Sequence, residues 1–548
     1  MMRPGWLFLV ATAGAAVACS SDNTGPALAQ CSTSLASALT LAVGAYTAID
    51  PATDSGCVSF PANVSGTSAE YLVIAQSAGG VPGDSAPFAL QSANLSASLV
   101  APATVGSRRA QLHRRGPIAM RFDRFLHERE RAQRRATRSA AGLRAVRAAV
   151  LPTPPVVGSL RTFTVCSNYD CSVYKPVTAR ARAVGAHTAI YVDTLAPPNG
   201  LDSAQIDSLR QTFDTHAYVV DTVAFGSLSD LDNNGLVITL MTPVVNSMVS
   251  AAECYSGGFI AGFFDPADLD PATATHHNDG EIFYTVVADP NGALSCAHTV
   301  ADLESFLPST LLHELQHVIS FNQHVLLRDG DQEDLWLDEA LSSLAEELGG
   351  ESFLPDQNTF FEYVFNDLAS AYSYLQNPGA HFLLQTSDTV LEDFGAGWLY
   401  ARFLVDQFGP SLTSRLEQTA LTGAANVAMQ TNLPFETTTT RWALANFVSD
   451  LPGFAPPAGV FYRSWSFRQT FASFNQQDPE DFPQQFPLVP PTAGGALVSV
   501  SGKLHAGSGY YVEVVQQPGS AGFALRFNGA PGAISPDLDP RLAVIRLQ

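Results

Sequence analysis

The sequence predicts an α+β protein whose β-rich beginning and end flank a central region of strands followed by helices. Apolar runs divided by Gly and Pro recur about every ten residues over 30–100 (LTLAVGAYTAI, GCVSF, AEYLVIAQSA, PFALQSA), the mark of short paired strands. From Arg161, strand-like runs such as RTFTVC, ARARAVGAHTAIYVDT, THAYVVDT, LVITLMTPVV, GFIAGFF and EIFYTVVAD give way to helical stretches near 302–324, 334–348, 358–375, 391–408 and 437–449. Strand signals return from about 485 with GALVSVSGKL, SGYYVEVVQ, GFALRFNG and RLAVIRL. Strands first and helices afterwards argue for α+β rather than an alternating parallel fold.

The 548 residues exceed one ordinary core, so roughly two to four units are expected. Apolar residues make up 46% and charged ones 15%, a folded rather than a disordered composition. A net charge of −22 argues against nucleic acid as a partner. That charge is uneven. Residues 19–106 hold no Lys or Arg, 107–150 hold 13 Arg against 3 acids, and 151–548 carry a net −28.

In chain order, MMRPGWLFLVATAGAAVAC reads as a signal peptide over 1–18. Its AVAC ending resembles a bacterial lipobox, which implies a lipid anchor on Cys19, a linker over 19–29 and an exported protein held at the outer membrane; simple cleavage and secretion is the alternative. No later stretch reads as a transmembrane helix. The remaining cysteines, Cys31, Cys57, Cys166, Cys171, Cys254 and Cys296, form an even set, as disulfides do in exported proteins, with neighbours as the simplest pairing. Residues 30–106 read as a small β-sandwich of unassigned ligand. Over 107–157, Phe122, Phe125, Leu126, Ala132, Ala136, Leu143 and Val146 recur at helical spacing beneath an Arg-rich face: a solvated linker helix, a pro-segment lying on the acidic region behind it, or, less favoured, a contact with anionic lipid. LPTPPVVG closes it as a Pro-rich linker. The central unit is expected over 158–480 and a small C-terminal β-domain over 481–548.

The chemistry concentrates in LLHELQHVISFNQ, 311–323. On a helix, His313 and His317 lie one turn apart and project together, so both imidazoles can hold one Zn²⁺ with Glu314 beside it. Buried histidines in so apolar a helix need partners, and an ion provides one. A third ligand is expected from the next helix, WLDEALSSLAEEL, in Glu339; Asp338 and Glu346 are second choices, and Glu346 and Glu347 otherwise read as a solvated face. Zinc lowers the pKa of a bound water towards about 7, and Glu314 is placed to take its proton. DLDNNG at 230–235 opens like a calcium loop, but Met241 stands where the bidentate acid belongs, so an Asx-rich turn is favoured over Ca²⁺.

HELQHVISFNQH followed by WLDEALSSLAEEL resembles the hyicolysin-type metallopeptidases, a branch of the gluzincins. LEDFGAGWLYARFLVDQFG and DLDNNGLVITLMTP extend the likeness over roughly 160–450. The resemblance implies a zincin-like fold, a twisted mixed sheet followed by a helical subdomain, and a zinc endopeptidase acting on protein or peptide substrates as a monomer. It implies His313, His317 and Glu339 as ligands and Glu314 as base. Two features depart from related gluzincins: twenty-one residues lie between His317 and Glu339, and Ser343 stands where thermolysin-like enzymes carry an Asp that bonds a ligand His. Asp338 or a backbone carbonyl is left as the histidine acceptor. For the oxyanion, aminopeptidase-like relatives use a Tyr where this chain has Phe394, leaving Tyr400, His381 and Tyr363 as candidates. A non-catalytic adhesin or scaffold keeping the fold is the alternative.

Overall fold

The computed structural model describes residue 31 and residues 38–52, 56–93, 116–139, 154–269, 275–386, 390–529 and 532–548. The expected signal sequence, Cys19 and the 19–29 linker lie outside the described residues.

Four strands open the chain: β1 (Tyr46–Ile49), β2 (Cys57–Phe60), β3 (Ala69–Ser77) and β4 (Ser85–Ser92). The basic segment then forms a helix, α1 (Pro117–Ser139), with Phe122 and Leu126 buried. The central sheet follows with β5 (Leu160–Cys166), β6 (Tyr174–Val184), β7 (Thr188–Asp193), helices α2 (Ser203–Thr212) and α3 (Tyr218–Ala224), β8 (Val237–Met241), short helices α4 (Pro243–Asn246) and α5 (Ala251–Gly257), β9 (Gly262–Phe264) and β10 (Ile282–Thr285). Its order is β5-β6-β7-β8-β10-β9. β8 runs parallel to both β7 and β10, and its VITLM is buried throughout, as an interior parallel strand requires. β9 lies at the edge, antiparallel to β10.

One strand expectation is corrected. THAYVVDT, 215–222, is helical, in a π-helical turn (Phe213–Ala217) running into α3. The paired valines suggested a strand, but burial follows a helical period: Phe213, Ala217 and Asp221 face inward while Val219 and Val223 are exposed.

Helices follow: α6 (Val300–Ser320), α7 (Leu335–Glu351), α8 (Gln357–Gln376), α9 (Leu391–Phe408), α10 (Ser411–Glu417), α11 (Gly423–Thr431), α12 (Phe435–Val448) and α13 (Phe467–Gln477). α6 starts at a capping box in which Thr299 and Asp302 satisfy each other's backbone amides. α7 packs against α6, α8 and α9, and is buried nearly all round. Its Gly349 permits the close approach to α6, since a Cβ there would lie 2.2 Å from a Leu312 methyl carbon.

The chain ends in β11 (Thr492–Gly494), β12 (Ser499–His505), β13 (Gly509–Gln516), β14 (Phe523–Asn528) and β15 (Pro540–Arg546). These do not form a domain of their own. The sheets are β1-β15-β3-β13-β11 and β12-β4-β14-β2, each built from both ends of the chain. The expectation of a sandwich over 30–106 and a separate β-domain over 481–548 is therefore corrected to one composite sandwich. The physical reason lies in β3. Tyr71, Val73 and Ala75 enter the sandwich core, whereas Leu72 and Ile74 enter the core of the helical body. A strand buried on both faces needs a neighbour on each edge, and β13 and β15 are those neighbours. Tyr511 of β13 ties the sandwich to α12 by donating to the Ala443 carbonyl at 2.8 Å.

Disulfides join Cys31–Cys57, Cys166–Cys171 and Cys254–Cys296. Among the described residues no helix is long and apolar enough to cross a membrane.

Candidate metal centre

α6 and α7 run antiparallel, which brings the early histidine of one helix opposite the late acid of the other. His313 and His317 turn their Nε2 atoms toward each other at 3.1 Å. Glu339 meets both: Oε2 lies 3.4 Å from His313 Nε2, and Oε1 lies 3.8 Å from His317 Nε2. These three are the donors of one candidate cation site, all within 4.8 Å of one another.

The opposite ring nitrogens face carboxylates, with a hydrogen bond at His317 and a close approach without hydrogen-bond geometry at His313. His317 Nδ1 lies 3.1 Å from Asp338 Oδ2, and His313 Nδ1 lies 3.2 Å from Glu346 Oε1. Nδ1 bound to a carboxylate orients the ring and leaves Nε2 for an ion. Ser342 lies 3.2 Å from His317 Nδ1 and donates to Gln316, whose amide donates to Glu417 at 2.6 Å. Glu417 in turn lies 3.4 Å from His324, a buried pair that closes the network behind the centre.

The electrostatics call for positive charge. Burial acts to lower the His317 pKa, but Asp338 beside Nδ1, with Glu339 and Glu314 near, overrides it and pushes the ring up to about 10. Burial acts to raise the Asp338 pKa, yet His317 holds it below the usual carboxylate value. Four buried carboxylates, Glu314, Asp338, Glu339 and Glu346, surround two imidazoles, an arrangement that a divalent cation balances.

Glu314 is not part of the donor triad. Its Oε2 accepts the backbone N–H of Phe264 at 2.9 Å, so the edge strand β9 fixes the carboxylate beside the centre. Glu314 lines one cavity with His317, Glu339 and Asp338, and a second with Gly262, Glu346 and Asn366.

Other sequence expectations fall elsewhere. Tyr400 is fully buried among Trp336, Phe435 and Trp442, with its hydroxyl 2.7 Å from Thr438 Oγ1. Tyr363 packs on Phe353, and His381 lies 3.8 Å from Asp393. None of the three lines the cavities that carry Glu314 or Glu346. The solvated face expected of Glu346 and Glu347 is corrected, because both are buried: Glu346 stands on His313, and Glu347 accepts from the indoles of Trp398 at 3.0 Å and Trp465 at 2.6 Å. The available signal was the heptad from Glu339 to Glu346, which puts both on one helix face. Sequence reasoning also missed His127 of α1, whose Nε2 donates to the Glu333 carbonyl at 2.9 Å and lies 3.9 Å from Asp338.

DLDNNG folds as the favoured turn, its Asp and Asn side chains accepting the amides of Asn234, Gly235 and Leu236 on the way into β8. Glu281 comes close to Asp230 and Asp232, but its Oε1 accepts Ser229 Oγ at 2.5 Å and the Leu231 amide at 3.1 Å.

Two imidazoles and a carboxylate on paired helices, with a second carboxylate, Glu314, alongside, form a donor set of the kind that can hold one zinc ion. The chain is similar to a metallopeptidase: it is 25% identical over 254 residues, 46% of its length, to the neutral metalloprotease ShpI of Staphylococcus hyicus. That stretch is 52% of the relative, so the chain matches about half the relative's length. No protein-family model matches the chain.

Proposed function

We propose that this protein is an exported zinc endopeptidase with His313, His317 and Glu339 as ligands and Glu314 as general base. The observation that carries the reading is the convergence of three donors whose far sides are already oriented. Donors bound about 2.0–2.1 Å from a tetrahedral ion lie about 3.3 Å apart, and the separations here are 3.1, 3.4 and 3.8 Å. The N₂O donor set suits zinc and leaves a fourth position for water or substrate.

Zinc, when bound, supplies Lewis acidity that acidifies water and polarises a peptide carbonyl. The chain's residues do the rest. Asp338 holds the His317 ring through its Nδ1, and Glu346 stands beside Nδ1 of His313. Glu314, steered by the Phe264 amide, takes a proton from the attacking water and hands it to the leaving amine nitrogen. The outer side of the edge strand β9 offers backbone groups along which an extended peptide can pair. The three disulfides support an exported protein, and lipidation of Cys19 remains part of this reading.

Metal analysis of the purified protein should give one zinc per chain. Glu314→Gln should keep that zinc and lose casein hydrolysis by about 10²-fold or more. Full hydrolysis by this variant sinks the mechanism, and a zinc-loaded protein that cleaves neither casein nor a peptide library, even after limited proteolysis on both sides of residues 116–139, favours the scaffold alternative.

A further inference from the structure

The proposed reaction makes no use of α1, yet α1 covers the centre. Asp123, Leu126 and His127 line the cavity that holds Glu314, His317 and Glu339. Ala119 and Asp123 line the second Glu314 cavity, and Met120 the neighbouring one beside Glu346. The helix is firmly seated. Ile118, Met120, Phe122 and Leu126 are each no more than 6% exposed, and the Phe122 ring meets Phe263 of β9 edge-on at 5.0 Å. Its charged residues reach both walls of the cleft. Arg129 pairs with Asp265, just past β9, at 2.5 Å. Arg131 pairs with Asp334, the N-cap of α7, at 2.6 Å. One helix thus fastens the edge-strand wall to the wall that carries Glu339, with Glu314 between them.

We propose that this cleft is a docking surface for an arginine-bearing amphipathic segment and that α1 is its resident occupant, keeping the centre closed to substrate until the helix is displaced. The inference rests on the peptidase reading in one respect: the space α1 fills is the space a peptide needs to lie along β9 and reach Glu314. Asp265 and Asp334 are the anchors, and the complementarity of an island with 13 Arg to a region of net −28 supplies the attraction.

The test is the full chain carrying Arg129→Glu and Arg131→Glu, read in two ways. Amide hydrogen exchange over α1 and β9 reports opening without reference to metal or activity, and casein hydrolysis reports access. Both should rise on the order of tenfold over the parent, and a synthetic peptide of residues 116–139 with the native sequence should lower the hydrolysis and the exchange over β9 again while exchange over the chain's own α1 stays fast. Unchanged exchange together with unchanged hydrolysis overturns the closure. Faster exchange without hydrolysis keeps the closure and overturns the peptidase reading instead. Should the double variant lose its cooperative melting transition, Arg131→Ala, at the more exposed of the two pairs, gives the same comparison.

Discussion

His313 and His317 each turn one nitrogen to the centre and the other toward a carboxylate, so their orientation depends on residues that need not touch an ion. Asp338→Asn and Glu346→Gln should therefore weaken zinc binding by about 10- to 100-fold, measured by competition with a chelator, while the fold melts at nearly the parental temperature. Unaltered affinity in both would show that the rings are held by packing alone. Glu347, the next residue, does something different. Burial raises its pKa to about 7, against the lowering influence of Arg402. Its folded pKa lies above its unfolded value, so the folded state holds the proton more tightly, and stability falls as pH rises from about 4.5 to about 7. Glu347→Gln should flatten that part of the melting-temperature profile; an unchanged slope would remove Glu347 from the account. The convergence of the two histidines was legible because four-residue spacing puts both rings on one helix face, and that of Glu339 because WLDEALSSLAEEL follows as a second apolar helix with an acid near its start. Glu346 and Glu347 were not, because LAEEL gives no sign that α8 and α9 close over α7 and leave it no solvent face.

At the scale of elements, the strongly periodic helices α6 to α9 could be read within a few residues of their ends, since caps and apolar spacing agree there. The 215–222 segment could not, because a short run with two valines fits either period and only its packing decides. α1 shows a further limit. Its amphipathic pattern was plain, and the sequence left open both a solvated linker helix and a segment lying on the acidic region behind it. Its seat over Glu314 depends on Asp265 and Asp334, more than a hundred residues away along the chain. The release of α1 by Arg129→Glu with Arg131→Glu is the prediction that belongs to this scale.

At the scale of the molecule, local patterns announced two β regions but not that they interleave. Pairing of β3 with β13 and β15 spans more than four hundred residues, and no local signal encodes a partner at that distance. Deleting residues 485–548 should expose both edges of β3 and the apolar faces beside it, giving an insoluble chain or one without a cooperative melt. A truncated chain that melts like the parent would show that β3 does not depend on those neighbours. The interleaving also separates two events that a linear map of the chain would join. α1 lies between β4 and β5, so cuts on both sides of it would divide the polypeptide into three pieces. The first piece would still be gripped by β13 and β15 of the last. Such a twice-cut protein would shed its helix and keep its two ends woven together.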